Sequence, residues 1–375
     1  MKYYLIAGEA SGDLHGSNLM KELKSIDNEA KFRFFGGDLM KAVGGELVVH
    51  YREMAFMGII NVLLNINTIK KNMEFCKKDL PEFHPDVLIL IDYPGFNLRI
   101  AEFAKNNNIK VFYYIAPKVW AWKEHRIKKI KAFVDELFTI LPFETQFFKK
   151  HEVDVNYVGN PLLDSLESFK KSAKNKERFL AENNLDERPI VAFLAGSRNQ
   201  EIRNTLPVMV NASNGNPGFQ FVVAGISSID KNVYKKILGE SKIRIIYNQT
   251  YDLLNNSFAA LVASGTASLE TALFKVPQLV LYRVEGGRFV HIIMKKLIKI
   301  KWASLPNLIL DKEAIREYIQ VDMTVKNVKR ELGNLLNDEI YREKIFEDYS
   351  RLSEMMGNSG SSERTAQKMV DLLRN

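Results

Sequence analysis

Short runs of apolar residues alternate with longer amphipathic stretches through most of this chain. In the first half the apolar runs cover residues 3–7, 31–35, 87–91, 111–115, 137–140 and 155–158. A second series covers residues 190–194, 219–224, 243–247, 259–263 and 278–282. Short apolar runs between helical stretches are typical of buried parallel strands in a βα alternation. The pattern predicts an α/β fold with two doubly wound parallel sheets.

A polar, charged stretch at residues 162–189 separates the two series. We therefore expect two Rossmann-like lobes, residues 1–170 and 171–345, with a central cleft. From residue 325 onward the pattern is helical and charged, and a Gly- and Ser-rich break at 357–362 precedes a last helix. The expected C-terminal segment, residues 346–375, packs either back on the first lobe or on a partner chain.

Composition narrows the class of protein. With 375 residues, 46% hydrophobic and 26% charged, the chain has the make-up of a globular protein of two or three domains. Its single cysteine, Cys76, excludes an internal disulfide and favours a reducing compartment. No signal peptide is expected, and no apolar run reaches the roughly 20 residues of a membrane-spanning helix. These features predict a protein in the cytosol or on the cytosolic face of a membrane.

The formal net charge is +8. Such a balance suits nucleic acid, an anionic membrane surface or phosphorylated substrates. No aromatic and basic signature of an RNA-binding module appears, so nucleic acid is not expected. A lysine-rich surface without a specific partner is the alternative.

The loop after the first predicted strand is rich in small residues, with glycines at 8, 12 and 16. Small residues let backbone amides approach a bound group, and a helix N-terminus favours anions. This spacing is not the dinucleotide fingerprint, which argues against a nicotinamide dehydrogenase. The alternative is a tight turn in which Ser11 and Asp13 cap the helix.

Asp92 follows the apolar run 87–91. Open α/β sheets bind ligands at the carboxyl ends of their strands, so Asp92 is a candidate general base, with a helix cap as the alternative. Two of the three tryptophans, Trp120 and Trp122, stand together in the Pro-Lys-Val-Trp-Ala-Trp loop after the next predicted strand. Tryptophan in a loop usually packs or binds.

In the second lobe, Gly196-Ser197-Arg198 follows the first predicted strand. An arginine there can neutralise a diphosphate, and a surface pair between Arg198 and Glu201 is an equal alternative. The segment 264–270 has hydroxyls and amides at a helix start and Glu270 one turn further. These groups suit phosphate oxygens and ribose hydroxyls, although a helix cap and a charge complementing the helix dipole explain the same residues.

Residues 54–69 are apolar nearly all round and are followed by Lys70 and Lys71. A buried core helix is the default interpretation, and an exposed surface that receives acyl chains is the alternative. Residues 288–302 mix lysines with isoleucine, methionine and leucine, which suits either an anionic lipid interface or a solvated helix face. The scattered histidines and the lack of an Asp-x-Asp pair predict neither a metal nor another cofactor.

Together these motifs resemble the lipid-A-disaccharide synthases over nearly the whole chain. The matching segments are residues 8–16, 54–58, Ile91-Asp92 with Phe96-Asn97, 117–122, 141–144, 196–198, 264–270 and 304–307. Trp-Ala-Trp and Ser-Leu-Pro-Asn are quite specific to that family, whereas Gly-Ser-Arg and the Gly-Thr-Ala turn alone indicate only a two-lobed (GT-B) glycosyltransferase. Gly95, Ala195 and Asn160 depart from residues common in the family.

The resemblance implies an inverting, metal-independent glycosyltransferase of lipid A and lipopolysaccharide biosynthesis in a Gram-negative bacterium. The donor would be UDP-2,3-diacylglucosamine and the acceptor 2,3-diacylglucosamine 1-phosphate, joined at the acceptor 6-hydroxyl with release of UDP. The products would be UDP and a β-1,6-linked disaccharide 1-phosphate. The protein would be peripheral on the cytosolic face of the inner membrane, against an anionic surface, and a homodimer is one possible assembly.

The resemblance also implies roles for residues at matching positions. Asp92 would be the base, Arg198 would neutralise the leaving diphosphate, and Asn307 would assist catalysis. Donor binding would use Gly196, Ser197, Ser264, Gly265, Thr266 and Glu270; acceptor positioning would use Glu9, Ser11, Asp13, Trp120 and Trp122; membrane or acyl-chain contact would use Phe56, Met57, Ile59, Ile60, Leu63 and Leu64.

Two other hypotheses remain. A UDP-sugar epimerase can share the two-lobed fold but acts on soluble sugars, so it has no use for an apolar surface. A nucleotide-sugar-binding or membrane-surface protein without catalysis would bind UDP and show no turnover. Dependence on detergent and on acyl chains would separate the first from the transferase.

Overall fold

The computed structural model describes residues 1–54, 65–283 and 301–374. The chain forms two compact units. The first consists of Met1–Leu166 together with Asn358–Asn375, and the second is Glu167–Gly357. Each unit is built on one parallel β-sheet with connecting helices.

Within the described residues the first unit has a seven-stranded sheet, in the order β3-β2-β1-β4-β5-β6-β7. Its strands are β1 (Lys2–Ala7), β2 (Lys31–Gly36), β3 (Glu46–His50), β4 (Val87–Ile91), β5 (Val111–Tyr114), β6 (Glu136–Thr139) and β7 (Asn156–Tyr157). Its connecting helices are α1 (Ala10–Ile26), α2 (Asp38–Val43), α3 (Ile66–Phe83), α4 (Pro94–Asn106), α5 (Ile127–Phe133), α6 (Pro142–Lys150) and α7 (Pro161–Lys170).

Strand β4 shows why the apolar runs are continuous. It reads Val-Leu-Ile-Leu-Ile, and all of its residues are buried. Leu88 packs with Tyr113 in one hydrophobic cluster, and Ile89 packs with Phe112 in another. A parallel strand whose two faces are both covered has no solvent-facing position, so it needs no polar residue until it ends. The first polar residue, Asp92, therefore marks the carboxyl edge of the sheet.

The second unit has a six-stranded parallel sheet among the residues described, in the order β10-β9-β8-β11-β12-β13. Its strands are β8 (Ile190–Leu194), β9 (Gln220–Gly225), β10 (Arg244–Tyr247), β11 (Ser257–Ala263), β12 (Gln278–Tyr282) and β13 (Glu317–Ile319). Its helices are α8 (Lys176–Glu182), α9 (Asn199–Ser213), α10 (Lys231–Leu238), α11 (Thr250–Asn255), α12 (Thr266–Leu273), α13 (Leu305–Leu310), α14 (Val325–Asn337) and α15 (Glu339–Met356).

The last helix, α16 (Ser361–Arg374), packs against α1 of its own chain, in the first unit. Asp164 accepts hydrogen bonds from the backbone N–H groups of Gly360 at 2.6 Å and Ser362 at 3.0 Å, so it caps α16 from α7. The expected C-terminal segment began at residue 346, inside α15. The structure places this boundary after Gly357, because α15 is continuous to Met356 and packs within the second unit.

Candidate active site

Each sheet has a point where the strand order reverses, and most of the candidate residues follow the strands that meet there. In the first unit β1 pairs with β4, although β2 and β3 lie between them in sequence. In the second unit β8 pairs with β11 in the same way. Helices leave such a point in opposite directions and open a crevice beyond the carboxyl ends of the strands, where α/β proteins bind ligands. Each unit therefore has its own candidate binding edge.

In the first unit the chain makes an unusual turn after β4. Asp92 and Tyr93 both have left-handed backbone angles, with φ of +45° and +48°. The carbonyl oxygen of Asp92 accepts hydrogen bonds from Asn97 Nδ2 at 2.7 Å and from the Tyr113 hydroxyl at 2.5 Å. Asn97 Nδ2 also lies 3.3 Å from the carbonyl oxygen of Ile91. Two buried side chains thus hold the backbone that carries Asp92.

The carboxyl group of Asp92 is suited to accept a proton. Burial raises its pKa, and the charge of Lys118 and a hydrogen bond from the Tyr93 backbone oppose that rise. Tyr93, not Asp92, occupies the N-cap position of α4, and no side chain caps that helix end. Asp92 is therefore not the cap of α4, and its role as a base stays a prediction.

Gly8 and Tyr93 are in close contact beside this turn. A Cβ atom on Gly8 would lie 2.4 Å from the Tyr93 ring, so the position has room for glycine only. Burial and the nearby charge of Glu9 raise the pKa of Tyr93 to about 12. Ser11 is exposed in the first turn of α1. Glu9 and Ser11 thus lie near the β1 end of the switch point, and their contact with an acceptor stays a prediction.

Asp13 was expected either to position the acceptor or to cap its own helix, and it does neither. Its side chain is buried and accepts backbone hydrogen bonds from Gly37 at 2.8 Å, Leu39 at 3.1 Å and Met40 at 3.0 Å. These N–H groups belong to the start of α2, so Asp13 caps that helix rather than its own. Both carboxylate oxygens are occupied, and we therefore remove Asp13 from the acceptor-positioning set.

Trp120 and Trp122 have different surroundings. The indole N–H of Trp120 donates to Glu144 Oε1 at 3.1 Å, and its ring lies edge-on to Phe143 at 5.0 Å between centroids. Burial raises the pKa of Glu144 to about 7, although hydrogen bonds from Trp120 and from the Leu141 backbone oppose the rise. Trp120 thus links the Trp-Ala-Trp loop to the Leu-Pro-Phe-Glu segment. Trp122, in contrast, is 52% exposed.

In the second unit, Gly196, Ser197 and Arg198 connect β8 to α9. Gly196 has φ of +114°, and a Cβ there would lie 2.5 Å from the Glu201 side chain, so both backbone and space require glycine. Glu201 accepts a hydrogen bond from the Ser197 N–H at 2.9 Å and lies 3.2 Å from Arg198 Nη1. The Arg198–Glu201 pair is the alternative offered by the sequence. Because exposed pairs contribute little free energy, Arg198 can exchange Glu201 for an incoming phosphate.

Ser264, Gly265 and Thr266 connect β11 to α12, beside the first loop. Gly265 has φ of +153°, a conformation strained for other residues, and no atom lies within 4 Å of where its Cβ would be. Ser264 Oγ donates to the Ala303 carbonyl at 2.8 Å, while Thr266 is exposed. The Ser264 N–H donates to the Leu281 carbonyl at 2.9 Å, so both donors of Ser264 are engaged and its expected contact with the donor does not fit. The amides of Gly265 and Thr266 are the ones at this helix start that an anionic group can reach.

Glu270 lies one turn into α12, and one oxygen of its carboxylate already accepts a hydrogen bond. Its Oε1 accepts a hydrogen bond from the Tyr251 hydroxyl at 3.0 Å, and burial raises the pKa of Glu270. Tyr251 packs ring to ring with Phe169 and Phe274 at 5.5 and 5.3 Å. Tyr251 was not among the predicted site residues, because no local pattern connects a residue of α11 to a carboxylate on α12.

Asn307 is a structural residue. It is fully buried, its Nδ2 donates to the Ile315 carbonyl and to Glu317 at 2.8 Å each, and its Oδ1 accepts from Ala314 at 2.8 Å and from Ile315 at 3.0 Å. Glu317 also accepts from the Ser304 backbone at 2.9 Å. The Ser-Leu-Pro-Asn motif is therefore a hydrogen-bonded support, and the expected catalytic role of Asn307 does not fit its occupied amide.

Several predictions fall on residues outside the described ranges. Those predicted to contact membrane or acyl chains all belong there: Phe56, Met57, Ile59, Ile60, Leu63 and Leu64. Of the basic stretch 288–302, only Lys301 and Trp302 are described, and Lys301 Nζ lies 4.9 Å from the centre of the Trp302 ring. In residues 1–54, 65–283 and 301–374 no helix is long and apolar enough to cross a membrane. The same residues contain no group of three or more metal-binding side chains.

Comparison with known proteins decides the family. A family profile described as lipid-A-disaccharide synthetase matches residues 3–370. A lipid-A-disaccharide synthase from Geobacter metallireducens is 36% identical over 98% of this chain and 96% of the relative. One from Coxiella burnetii is 34% identical over 98% of both chains. The chain belongs to the lipid-A-disaccharide synthase family.

Membership in the lipid-A-disaccharide synthase family confirms the resemblance found in the motifs and makes the chain a glycosyltransferase. Solved structures agree at the level of the fold. A UDP-GlcNAc 2-epimerase from Neisseria meningitidis has a TM-score of 0.69 at 14% identity, with all of both chains covered. A calicheamicin glycosyltransferase has a TM-score of 0.63 at 14% identity, covering 100% of this chain and 98% of the other. At this identity the likeness shows the α/β fold alone.

Proposed function

We propose that this chain transfers 2,3-diacylglucosamine from its UDP derivative to the 6-hydroxyl of 2,3-diacylglucosamine 1-phosphate. The products are a β-1,6-linked, tetra-acylated disaccharide 1-phosphate and UDP. The observation that carries the proposal is the family match over residues 3–370, together with a basic carboxylate at the switch point of the first unit.

Asp92 acts as the general base of this reaction. The acceptor oxygen forms a bond to the anomeric carbon of the donor as the bond from that carbon to the diphosphate breaks. The hydroxyl proton passes to Asp92, and the electron pair of the broken bond leaves with UDP. A carboxylate whose pKa is raised by burial takes a proton more readily than an exposed one. Attack from the face opposite the leaving group inverts the anomeric configuration.

The loops of the second unit bind the donor. Arg198 turns from Glu201 to the diphosphate, where a guanidinium can form two parallel charge-assisted hydrogen bonds. The backbone amides of Gly265 and Thr266 bind phosphate oxygens and stabilise the charge that develops as UDP leaves. Gly196 and Ser197 complete this loop with their backbone.

Glu270 binds the ribose of UDP. Tyr251 holds one carboxylate oxygen at 3.0 Å and so fixes the direction of the other. A carboxylate accepts hydrogen bonds but donates none when ionised, which suits a pair of neighbouring ribose hydroxyls.

The acceptor and donor both carry acyl chains, so the protein works at a membrane. We place it on the cytosolic face of the inner membrane, as a peripheral protein attracted to anionic lipid by its net charge of +8. Glu9, Ser11 and Trp122 are the remaining candidates for contact with the acceptor. The apolar residues between 56 and 64 are proposed to meet the acyl chains.

The test is a transfer assay in detergent micelles with both lipid substrates, read by mass spectrometry. We expect a new ion with the mass of the tetra-acyl disaccharide 1-phosphate, in equal amount to the UDP released. Hydrolysis of the donor without disaccharide, or isomerisation of a soluble UDP-sugar, would contradict the proposal. Arg198→Lys tests the role of the guanidinium: the variant keeps the charge but loses the two parallel hydrogen bonds, so kcat/KM should fall.

A further inference from the structure

Two cationic side chains lie next to the ring of an exposed tryptophan in the first unit. We call Arg99, Trp122, Lys123 and Arg126 the Trp122 cluster. Lys123 Nζ lies 4.2 Å from the centre of the Trp122 ring, and the guanidinium carbon of Arg126 lies 6.0 Å from it. Lys123 has φ of +57°, and the N–H of Arg126 donates to the Lys123 carbonyl at 2.9 Å. This tight turn directs both side chains to one ring.

The cations of the cluster have no acidic partner in the described part of the chain. Two of the three lysines of α5 are paired: Lys129 lies 2.7 Å from Glu102, and Lys131 lies 3.1 Å from Glu152. No such ion pair occurs for Arg99, Lys123 or Arg126 among the described residues.

The side chains of the cluster also repel one another. Burial and the charge of Arg99 lower the pKa of Arg126, and burial and Arg126 lower the pKa of Lys123. Like charges brought together beside a half-buried guanidinium are unfavourable until an anion joins them. The cluster therefore has the charge and the donors of an anion site.

The cluster is within electrostatic reach of the Asp92 turn. The charge of Arg126 acts on the Tyr113 hydroxyl, which donates to the Asp92 carbonyl at 2.5 Å. An anion held by Arg126 would consequently be close to the proposed base. Trp122 offers an exposed flat face at the same place, and such a face suits the apolar side of a sugar ring.

We propose that Lys123 and Arg126, supported by Arg99, bind the phosphate monoester of the acceptor sugar while Trp122 covers its ring. The inference rests on the proposed function, because it assigns the charged group of that acceptor. The 1-phosphate is on C1, the 6-hydroxyl is on the carbon attached to C5, and C1 and C5 flank the ring oxygen, so a site that holds the phosphate also fixes where the 6-hydroxyl lies. A phosphate site beside Asp92 therefore selects which hydroxyl reaches the base, and explains why a phosphorylated acceptor is used.

The first experiment compares 2,3-diacylglucosamine 1-phosphate with 2,3-diacylglucosamine as acceptors in neutral detergent. We expect Arg126→Met to lower kcat/KM for the phosphorylated acceptor by about 10- to 100-fold, the range of a lost charge-assisted hydrogen bond. The KM for the donor and the weak rate with the unphosphorylated acceptor should not change. Arg126→Lys should restore part of the loss. Lys131→Met, which removes the same charge from a paired residue of α5, is the matched control.

A second arm separates this inference from the reaction itself. Binding of glucosamine 1-phosphate and of glucosamine is followed by ligand-observed NMR with the full chain. Preference for the phosphate in the wild type, lost in Arg126→Met and Lys123→Met, supports the site even if no disaccharide is made. Equal binding of the two probes by the wild type would overturn it.

A third arm tests the other source of phosphate, a phospholipid head group. Wild type and variants are sedimented with vesicles of phosphatidylglycerol or of phosphatidylcholine alone. If Arg126→Met loses binding to phosphatidylglycerol vesicles while keeping full preference for the phosphorylated acceptor, the cluster serves the membrane and the proposal is wrong. Unchanged vesicle binding with lost acceptor preference supports it.

Discussion

Asp92 and Tyr93 occupy a backbone region that costs non-glycine residues roughly 1–3 kcal/mol each. The hydrogen bonds from Asn97 and Tyr113 to the Asp92 carbonyl offset part of that cost. A turn that followed the usual helical or extended path would aim the Asp92 side chain elsewhere. The strained backbone thus sets the direction of the Asp92 carboxylate at the switch point of the sheet.

Replacing the base should separate chemistry from folding. We expect Asp92→Asn to lower kcat by about 10²- to 10⁴-fold, the usual contribution of a general base, with UDP affinity unchanged. In the wild type kcat/KM should fall as the pH drops through the raised pKa of Asp92, because the protonated form accepts no proton. Steady-state rates across pH, with UDP binding by calorimetry as the control, test this. A variant with the wild-type rate would remove Asp92 from the mechanism.

Asn97 is a positioning residue in this scheme. Asn97→Ala removes the 2.7 Å bond to the Asp92 carbonyl, so kcat should fall while the KM for the donor stays constant. We expect a loss of stability of about 1 kcal/mol, the usual contribution of one hydrogen bond, because the Asp92 carbonyl keeps its bond from Tyr113. Rates and urea unfolding are measured on the same preparation. If stability falls but kcat does not, Asn97 supports the fold without orienting the base.

Short motifs correctly predicted where several polar residues lie in the fold. They did not predict the hydrogen-bond partners of those residues. Asp92 directly follows β4, and Glu270 lies one turn into the helix that follows β11, as the patterns indicated. Asp13 was predicted to position the acceptor and Asn307 to assist catalysis, yet the polar atoms of both are occupied by groups of neighbouring segments. Side chains distant in sequence meet only through the fold, so a motif cannot show whether a polar atom is already occupied.

Among the elements, the buried strands were the most predictable. The apolar runs at 87–91 and 190–194 coincide with β4 and β8, whose residues are buried throughout. Strands β3 and β13 were missed. β3 has an exposed glutamate followed by half-buried residues, and β13 spans only Glu317–Ile319. Edge strands and very short strands need no continuous apolar run, so hydrophobic pattern does not reveal them.

The start of α6 carries a prediction about pH and stability. The pKa of Glu144 is raised to about 7 in the folded protein, above its ordinary value near 4.5. Below pH 4.5 Glu144 is protonated in both the folded and the unfolded protein. Between about pH 4.5 and 7 the unfolded protein loses this proton while the folded protein keeps it, so the free energy of unfolding should fall as the pH rises through this range. The loss is of order 3 kcal/mol. Urea unfolding at pH 5 and pH 8 measures it.

Glu144→Gln is the control for that experiment, because the amide does not titrate. It should keep the bonds from the Leu141 and Ile140 backbone and lose the one from Trp120. The wild type should therefore show a steeper fall in stability with pH than the variant. Identical slopes would mean that Glu144 is ionised throughout this range.

At the scale of the whole molecule, the first unit is completed by residues from the other end of the chain. Asp164 caps α16 through Gly360, Ser361 and Ser362, about 200 residues away in sequence. Such a contact closes the unit only after the whole chain has been made. Folding of the first unit thus depends on the C-terminus, while the second unit is a continuous segment.

Removal of this cap should affect one unit only. We expect Asp164→Ala to reduce stability by about 2 kcal/mol, the sum of a lost cap and unpaired amides, with UDP affinity unchanged. Asp371→Ala, which alters an exposed residue of the same helix, should change stability little. Chemical unfolding and UDP titration on the three proteins test this. A loss of UDP affinity in Asp164→Ala would show that the effect reaches the second unit.

The sequence by itself determined the α/β class, the two sheets, the family and the positions of Asp92, Arg198 and Glu270, because periodicity and local motifs record burial and strand ends. Only the tertiary structure decided which polar atoms were free to react. In the folded protein Asp13 caps α2, Asn307 bonds to Glu317 and Trp120 bonds to Glu144. The last helix packs on the first unit. These outcomes depend on contacts between segments far apart in the chain, and hydrogen bonds across such distances leave no periodic trace in the sequence.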